Sequence, residues 1–460
     1  MSILNVGTTA LIATQGALAT TSHNISNINT DGYNRQRIEF GTNSADFNGT
    51  HYIGSGTNIT SIERLFDSFL ANQVRTYTSS EAQQDTFLTF AKQVSDVLGT
   101  EELGLNSGME AFFNTVNQVA NEPGSIPSRQ TMLTQANLLA NSFNTLDSQI
   151  SELDNQIDTT FSIAADDINV ISSGIANLNQ AIIAAGAGTG TYPNDLLDQR
   201  DQLLNDLSEY VQVSTAPGNN GAINVFIGSG QALVVGSARI GVSTIADTST
   251  TPPRLGIGYG PTQADITAQL TGGKLGGAIQ VRSSVIDDSR AQLDVLAQSL
   301  VEALNTIHTA GVDLDGAAGG DFFDATSLTA ATINVTVTDP RKIAASSTVL
   351  PGIGNNENAL ALASLQLDKT TVTVGATTRS FTEHFGVIAT GVATRTHQAD
   401  VGQQSQAGLL AQVKQRYDSI SGVNLDEEAA NLIKFQQSYQ AASQIITVSN
   451  TIFNALINSI

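Results

Sequence analysis

The sequence contains no cysteine and no tryptophan, and its 460 residues include only three methionines and nine prolines. Without cysteine there is no disulfide, no thiolate metal ligand and no thiol nucleophile, and either redox compartment suits the chain. Charge is scarce as well: 13% of residues are Asp, Glu, Lys or Arg, where about 25% is usual. Forty-two acids against 20 bases leave a net charge of −22 and a pI near 4.4, which removes the basic footprint that nucleic acid or an anionic membrane requires. No apolar run approaches the roughly 18 residues of a membrane span, and the amino terminus lacks the cationic segment of a cleaved secretory signal. We expect no nucleic-acid partner, no membrane insertion and, if the protein leaves the cell, export by a separate machine.

Core-forming capacity is ordinary. Apolar residues make up 40%, and counting glycine but not tyrosine brings this to roughly 47%, the normal globular share and enough for two to four domains.

Helical periodicity dominates. Leu432, Phe435, Tyr439, Ala442, Ile446, Ser449, Phe453, Leu456 and Ile460 follow strict 3,4 spacing, the pattern of a coiled-coil seam. Asn424 with Glu427 three residues on, in an acidic stretch, predicts a capping box and a helix starting near Leu425. At the other end Leu4, Leu11, Leu18 and Ile25 recur every seven residues, with small Gly7, Thr14 and Thr21 as companions. A stripe from Met132 to Ile182, interrupted only by Gly174, predicts a helix of about 75 Å at about 1.5 Å per residue. Further helical patterns run from Ile62 to about Leu98, Met109 to Val119, Asn194 to Leu207, Val281 to Ile307 and Phe381 to Ile420.

Two stretches differ. From Val211 to Leu270 short β-branched runs alternate with Gly, Pro and Asn. From Gly311 to Gly375 the runs Ile333 to Thr338 and Thr370 to Val374 flank a short helix at Asn358 to Leu367. The predicted fold class is mainly α with a β-rich insertion: a terminal-helix coiled coil, a long-helix bundle and a small distal β domain. The expected divisions are 1–60, a coiled-coil segment and turn paired with 421–460; 61–210, helical bundle; 211–272, β-rich insert; 273–310, returning helix; 311–380, β-rich or loop insert; 381–420, bundle helix.

Residues 1–30 and 435–460 contain no Asp, Glu, Lys or Arg, although an exposed coiled coil normally carries charge at e and g. For the last helix alone, burial at about 2 kcal/mol per seam side chain and about 1 kcal/mol per backbone hydrogen bond barely offset an ordering cost of about 1.5 kcal/mol per residue. Firm helices at both ends therefore need a second buried face. We expect termini that are disordered in the monomer and fold on polymerisation.

No catalytic constellation is present. HExxH, GxSxG, SxxK and P-loop motifs are absent, and the glycine runs 186–190, 228–230 and 256–260 lack a strand–turn–helix context. His23, His51, His308, His384 and His397 are scattered without ligand spacing. Asp313, Asp315 and Asp321 among glycines suggest an acidic turn; they do not meet the EF-hand order, and sequence leaves metal binding there open. No cofactor is expected.

At the amino end His23 to Arg37 reads HNISNINTDGYNRQR. Asn24, Asn27, Thr30, Gly32 and Tyr33 in it resemble the N-x-x-T-x-G-Y turn of the flagellar axial family of rod, hook and hook-associated proteins. Within that family, SGVNLDEEAANLIKFQQSYQAASQIITVSNTIFNALI from Ser421 and PNDLLDQRDQLL from Pro193 are similar to the hook-associated protein 1 family, the junction between hook and filament. TGGKLGGAIQVR from Thr271 and the set Asn305, His308, Gly311, Asp315, Gly316, Asp321, Phe322 and Phe323 are weaker matches. Departures are His23, where relatives usually carry a small or amide residue, and a short stretch from Phe323 to Phe381.

The resemblance implies a non-enzymatic structural part of the flagellum, secreted unfolded through the flagellar type III export apparatus. Its implied partners are hook protein, hook-associated protein 3, its own subunits and a cytosolic export chaperone on the carboxyl helix. Subunit assembly is assigned to Leu4, Leu11, Leu18, Ile25, Asn24, Asn27, Thr30, Gly32 and Tyr33. Assembly and chaperone binding share Leu432, Phe435, Tyr439, Ile446, Phe453 and Leu456, the apolar anchors that a groove would take. The alternatives are another axial protein (hook protein or hook-associated protein 3), or a secreted adhesin or enzyme on a helical anchoring stem.

Overall fold

The computed structural model describes residues 3–47, 49–99, 104–188, 190–249, 253–348 and 352–458; Ile460, the last predicted seam position, lies outside them. The two chain ends form one antiparallel helix pair, α1 (Ile3–Ser26) and α10 (Leu425–Asn458). Gly7 lets them close up, since a Cβ there would sit 3.0 Å from Ile446 Cγ1. Asn424 caps α10, its Oδ1 accepting from the N–H groups of Asp426 (2.9 Å) and Glu427 (3.4 Å). The predicted reciprocal half of the capping box is replaced: the Glu427 carboxylate instead takes Arg35 Nη1 at 2.6 Å.

A β-ribbon lies along α1. Strands β1 (Gln36–Thr42) and β4 (Thr57–Arg64) pair antiparallel, Ile38 opposite Ile62, and β2 (Asp46–Phe47) with β3 (Tyr52–Ile53) extend the ribbon to its tip. This corrects the helical reading at Ile62 and Leu65. The spacing of Ile62, Leu65 and Phe69 imitates a helix, but the alternation of Thr57–Arg64 prevails because its β-branched residues meet a partner strand. Helix α2 (Ser68–Gly99) starts only after Asp67, whose carboxylate accepts from the N–H groups of Phe69 and Leu70.

The body is a bundle of α2, α3 (Leu105–Asn121), α4 (Ile126–Gly186), α5 (Asn194–Tyr210), α6 (Gly273–Val281), α7 (Asp287–Ala310), α8 (Glu357–Ser364) and α9 (Phe381–Ser421), with a π turn at Arg282–Ile286 joining α6 to α7. The 61 residues of α4 are continuous. Its stripe from Met132 through Phe143, Ile157, Phe161 and Ile175 to Ile182 is buried, as 3.6-residue periodicity requires. By length and mean composition α4 could cross a membrane. Within this molecule its apolar stripe is covered by other elements, and its Asp147, Asp154 and Asp158 hold ion pairs. Asp154, 5% exposed, has Arg254 Nε at 2.6 Å and Arg282 Nε at 2.8 Å, and Asp158 pairs with Arg282. The Arg282 Nε contact is an ion pair, not an aligned hydrogen bond.

Two small sheets rest on the second half of α4. One has the order β5-β6-β7-β8 (Val213–Pro217, Ile223–Ile227, Gln231–Val235, Ala238–Arg239). The other is β11-β10-β9 (Ala264–Asp265, Arg254–Tyr259, Val242–Asp247). Asn169 and Asn179 stitch them down: Asn169 bonds both backbone groups of Val242, and Asn179 Nδ2 donates to Ile223 O (2.8 Å) and Gly236 O (2.7 Å).

The run Ile333 to Thr338 forms no strand, only an isolated bridge from Val335 to Phe323. Ile333 and Phe323 are buried against the bundle, so side-chain packing replaces a ladder. β12 (Gly311–Val312) pairs with β13 (Ser346–Ser347), and β14 (Val372–Val374) with β15 (Thr377–Arg379). Asn305 holds the Phe322–Phe323 backbone through three bonds. The acidic turn is closed by the chain's own groups. Asp313 accepts from the Asp315 and Ala317 N–H groups and from Lys342 Nζ (3.1 Å), while Asp315 takes Lys342 (3.0 Å) and Arg341.

Candidate assembly interface

The turn after α1 is a hydrogen-bonded knot around Asn24, which is 1% exposed. Its Oδ1 accepts from the Tyr33 hydroxyl (2.7 Å) and Gln36 N–H (2.9 Å). Its Nδ2 donates to Gln36 O (2.9 Å) and to the buried carboxylate of Glu428 (3.2 Å) at the start of α10. Asn27 closes the helix end, Nδ2 to His23 O at 3.0 Å, and Thr30 Oγ1 donates to Asn27 Oδ1 at 3.2 Å. Gly32 has φ +76°, and a Cβ there would collide with Gln202, so this position requires glycine. Burial, with Asp195, Asp198 and Glu428 nearby, holds the Tyr33 hydroxyl well above its ordinary pKa, so it stays a donor.

The PNDLLDQRDQLL segment explains itself here. It forms α5, and its acids face the turn: Asp195 meets His23 Nε2 (3.2 Å) and Gln36 Nε2 (2.8 Å). Asp198, nearly buried, accepts from Asn34 N–H (3.0 Å), Asn34 Nδ2 (2.5 Å) and Arg64 Nη1 (2.9 Å), and Asp201 takes Arg64 Nη2 (2.6 Å). Burial pushes the Asp198 carboxyl pKa up, against the pull of Asn34 and Arg64. On the opposite side of α5, Arg200 donates to Asn179 Oδ1 and Gly221 O. One helix thus fixes the terminal turn to the bundle and to the β5–β8 sheet.

The structure brings Asn24, Asn27, Thr30, Gly32 and Tyr33 together. Phe435 lies 6.2 Å from Phe40 between ring centres, and Ile446 lies against Gly7. The leucine stripe is placed differently from expectation. The buried face of α1 consists of Gly7, Ala13, Ala17, Thr20, Thr21 and Asn24, whereas Leu4 is exposed and Leu11, Leu18 and Ile25 are half-buried on its flank. Small residues win that face because they let α10 and the ribbon approach closely, and a Cβ at Gly16 would lie 2.5 Å from Ile59 Cδ1. On α10 only Glu428 and Ala442 are buried. Leu432, Phe435 and Ile446 are half-buried, while Tyr439 is 37%, Phe453 63% and Leu456 57% exposed.

Sequence reasoning missed Asn34, Arg35, Arg64, Asp198 and Glu428. Arg35 Nε reaches Glu428 at 2.7 Å, and its backbone N–H meets Ser421 O at 2.8 Å. No periodic signal pointed to them, because the spacing of Ile62, Leu65 and Phe69 read as helix and hid the ribbon whose first and last residues adjoin Arg35 and include Arg64.

Residues 91–323 match the flagellar hook-associated protein FlgK helical domain, residues 4–34 the flagella basal body rod protein family, and residues 414–459 the flagellar basal body rod FlgEFG protein C-terminal family. Flagellar hook-associated protein 1 of Escherichia coli K12 is 28% identical, covering 99% of both chains. The protein of that name from Bacillus subtilis 168 is 28% identical over 98% of this chain and 96% of its own. The flagellar hook junction protein FlgK of Burkholderia pseudomallei shares the fold at a TM-score of 0.69 and 20% identity, covering 76% of this chain and 100% of that one. With the helical-domain model spanning half its length and rod-family models on both terminal segments, the chain belongs to the flagellar hook-associated protein FlgK family.

Proposed function

We propose that this flagellar structural protein forms the hook–filament junction and works through subunit contacts, not catalysis. The observation that carries the reading is the terminal pair: two long helices, uncharged over 1–30 and 435–460, with α10 burying only Glu428 and Ala442 within its own chain. Isolated helices are marginal in water, so the exposed apolar flanks of α1 and α10 are completed by neighbouring copies in the axis, and both helices become firmly ordered there. Leu4, Leu11, Leu18, Ile25 and the Asn24–Tyr33 turn serve that assembly.

Hook protein lies on one side and hook-associated protein 3 on the other. Before secretion through the flagellar type III apparatus, a cytosolic chaperone holds Leu432, Phe435, Tyr439, Ile446, Phe453 and Leu456, so chaperone and neighbours compete for one surface. Deleting the gene should leave hooks in place while filament subunits appear in the medium. A copy carrying Phe435→Asp and Ile446→Asp should restore neither chaperone binding nor filaments. Normal chaperone binding together with normal filaments in that variant would contradict the reading.

A further inference from the structure

Where the terminal turn meets the body, residues 31–33, the first half of α2, α5 and the end of α9 wall a cleft of about 410 Å³. Arg75 of α2 lines it and is 6% exposed. Its Nη2 donates to Asn72 Oδ1 at 2.5 Å, but its Nη1 has no hydrogen-bond partner among the described residues. The Asp201 charge that acts on it is already spent on Arg64 Nη2 at 2.6 Å. A buried guanidinium is costly unless its donors are satisfied, so an acceptor oxygen belongs at Nη1. Asn205 Oδ1, in the same cleft, is buried without a donor. One orphaned donor and one orphaned acceptor are the complement of a peptide group, which brings a C=O and an N–H together.

The rim adds a second requirement. Asp201 and Glu209 have bases of their own, Arg64 and Lys274 (3.6 Å). Asp31, Asp206 and Asp418 stand there against Lys414, leaving carboxylate in excess. Asp206 accepts from the neutral Gln202 Nε2 at 2.8 Å, and burial, with Glu209 and Asp31 nearby, holds its carboxyl above the ordinary range. A cation is therefore wanted. Several dispersed carboxylates suit a compact ammonium with three rotatable donors better than a planar guanidinium fork, which matches one carboxylate at a time.

This chain cannot supply that combination to another copy of itself. Lys92, Lys414 and Lys434 lie inside α2, α9 and α10, where backbone groups are committed to the helix. Lys274, Lys342 and Lys369 hold Glu209, Asp313 and Glu383. Building on the axial reading, we propose that the cleft takes an extended, lysine-bearing segment of a different axial protein. One of its peptide groups accepts from Arg75 Nη1 and donates to Asn205 Oδ1, and its lysine ammonium sits among Asp31, Asp206 and Asp418. The partner's charge thus offsets that of a chain with a net charge of −22.

A zero-length cross-link tests the contact. Flagella that bear filaments are treated with a water-soluble carbodiimide, which joins a carboxylate to an amine touching it, and the linked peptides are read by mass spectrometry. Asp31, Asp206 or Asp418 joined to a lysine of a different axial protein is expected. Links only to this chain's own lysines, or no link at these carboxylates, would overturn the proposal, while the filaments on those flagella leave the junction function standing.

Two variants separate binding from folding. Arg75→Met removes a charge that the lone chain leaves unpartnered, so the melting temperature of the purified monomer should be unchanged or raised, while cells carrying this copy shed at least tenfold more filament subunits than wild type. A lowered melting temperature would overturn the proposal by showing that Arg75 serves the fold. Asp206→Asn, which keeps the shape of the side chain, should also raise shedding with unchanged helical circular dichroism. Wild-type shedding by both variants would overturn the proposal.

Discussion

His308 is fully buried, and its two ring nitrogens have opposite duties: Nδ1–H donates to Gly320 O at 2.6 Å and Nε2 accepts the Ala344 N–H at 3.0 Å. Only the neutral ring can do both. Burial accordingly depresses its pKa below the ordinary 6.5, and burial does the same to His384. The unfolded chain then binds protons that the folded one refuses, so this contribution is complete above pH 6.5 and is lost as pH falls below it, by about 1.4 kcal/mol per pH unit. Melting curves between pH 7.5 and 5 should show a falling melting temperature that flattens in His308→Gln, whose amide can repeat both bonds without titrating. At this scale the sequence was least legible. Asn24 and Tyr33 stood out through their motif, but Asn34 with Asp198, 164 positions apart, could not be paired without the fold, because polar partners carry no periodic signature.

Helices and their contacts obey patterns that can be read in advance, and the exceptions have causes. The stripe of α4 is the one its spacing predicts, since it buries one face over many turns, whereas the seam of α10 is half-buried at Leu432, Phe435 and Ile446 and exposed at Tyr439, Phe453 and Leu456. The ribbon was hidden by an accidental 3,4 spacing, and the leucine stripe of α1 lost the buried face to smaller neighbours. Glycine in TGGKLGGAIQVR is a packing requirement: a methyl at Gly277 would overlap the Gln83 carbonyl and lie 2.9 Å from Thr86 Cβ on α2. Gly277→Ala should therefore lower stability by about 1–3 kcal/mol in urea titration, despite alanine's better helix propensity. The α4 acids give a second expectation. Asp154→Ala leaves Arg254 and Arg282 without their shared carboxylate but each with a second one, Asp287 and Asp158, and should cost about 1–3 kcal/mol. Adding Arg282→Met should recover part of that loss, and no recovery would show that the carboxylate acts through something other than this pair.

As a whole the molecule divides its labour. The body is self-sufficient, its core running without interruption from Phe87 on α2 to Ala399 on α9. The terminal module is held by α1's small-residue face, the ribbon, the Asn24–Glu428–Arg35 knot and the bonds of α5 to the turn, with large side chains left over on its flanks. Both features were visible in the sequence as composition: normal apolar content over the whole chain, and ends without Asp, Glu, Lys or Arg. The ribbon was not, because it arises from where the chain folds back along α1. The account depends on neighbouring copies completing the two ends. Amide hydrogen exchange, compared between a verified monomer and junctions isolated with their filaments, addresses this directly. We predict fast exchange over residues 3–26 and 425–458 in the monomer beside a protected α4, and at least hundredfold slowing of those two segments after assembly. Equal protection of both termini in the monomer and the assembled junction would contradict it.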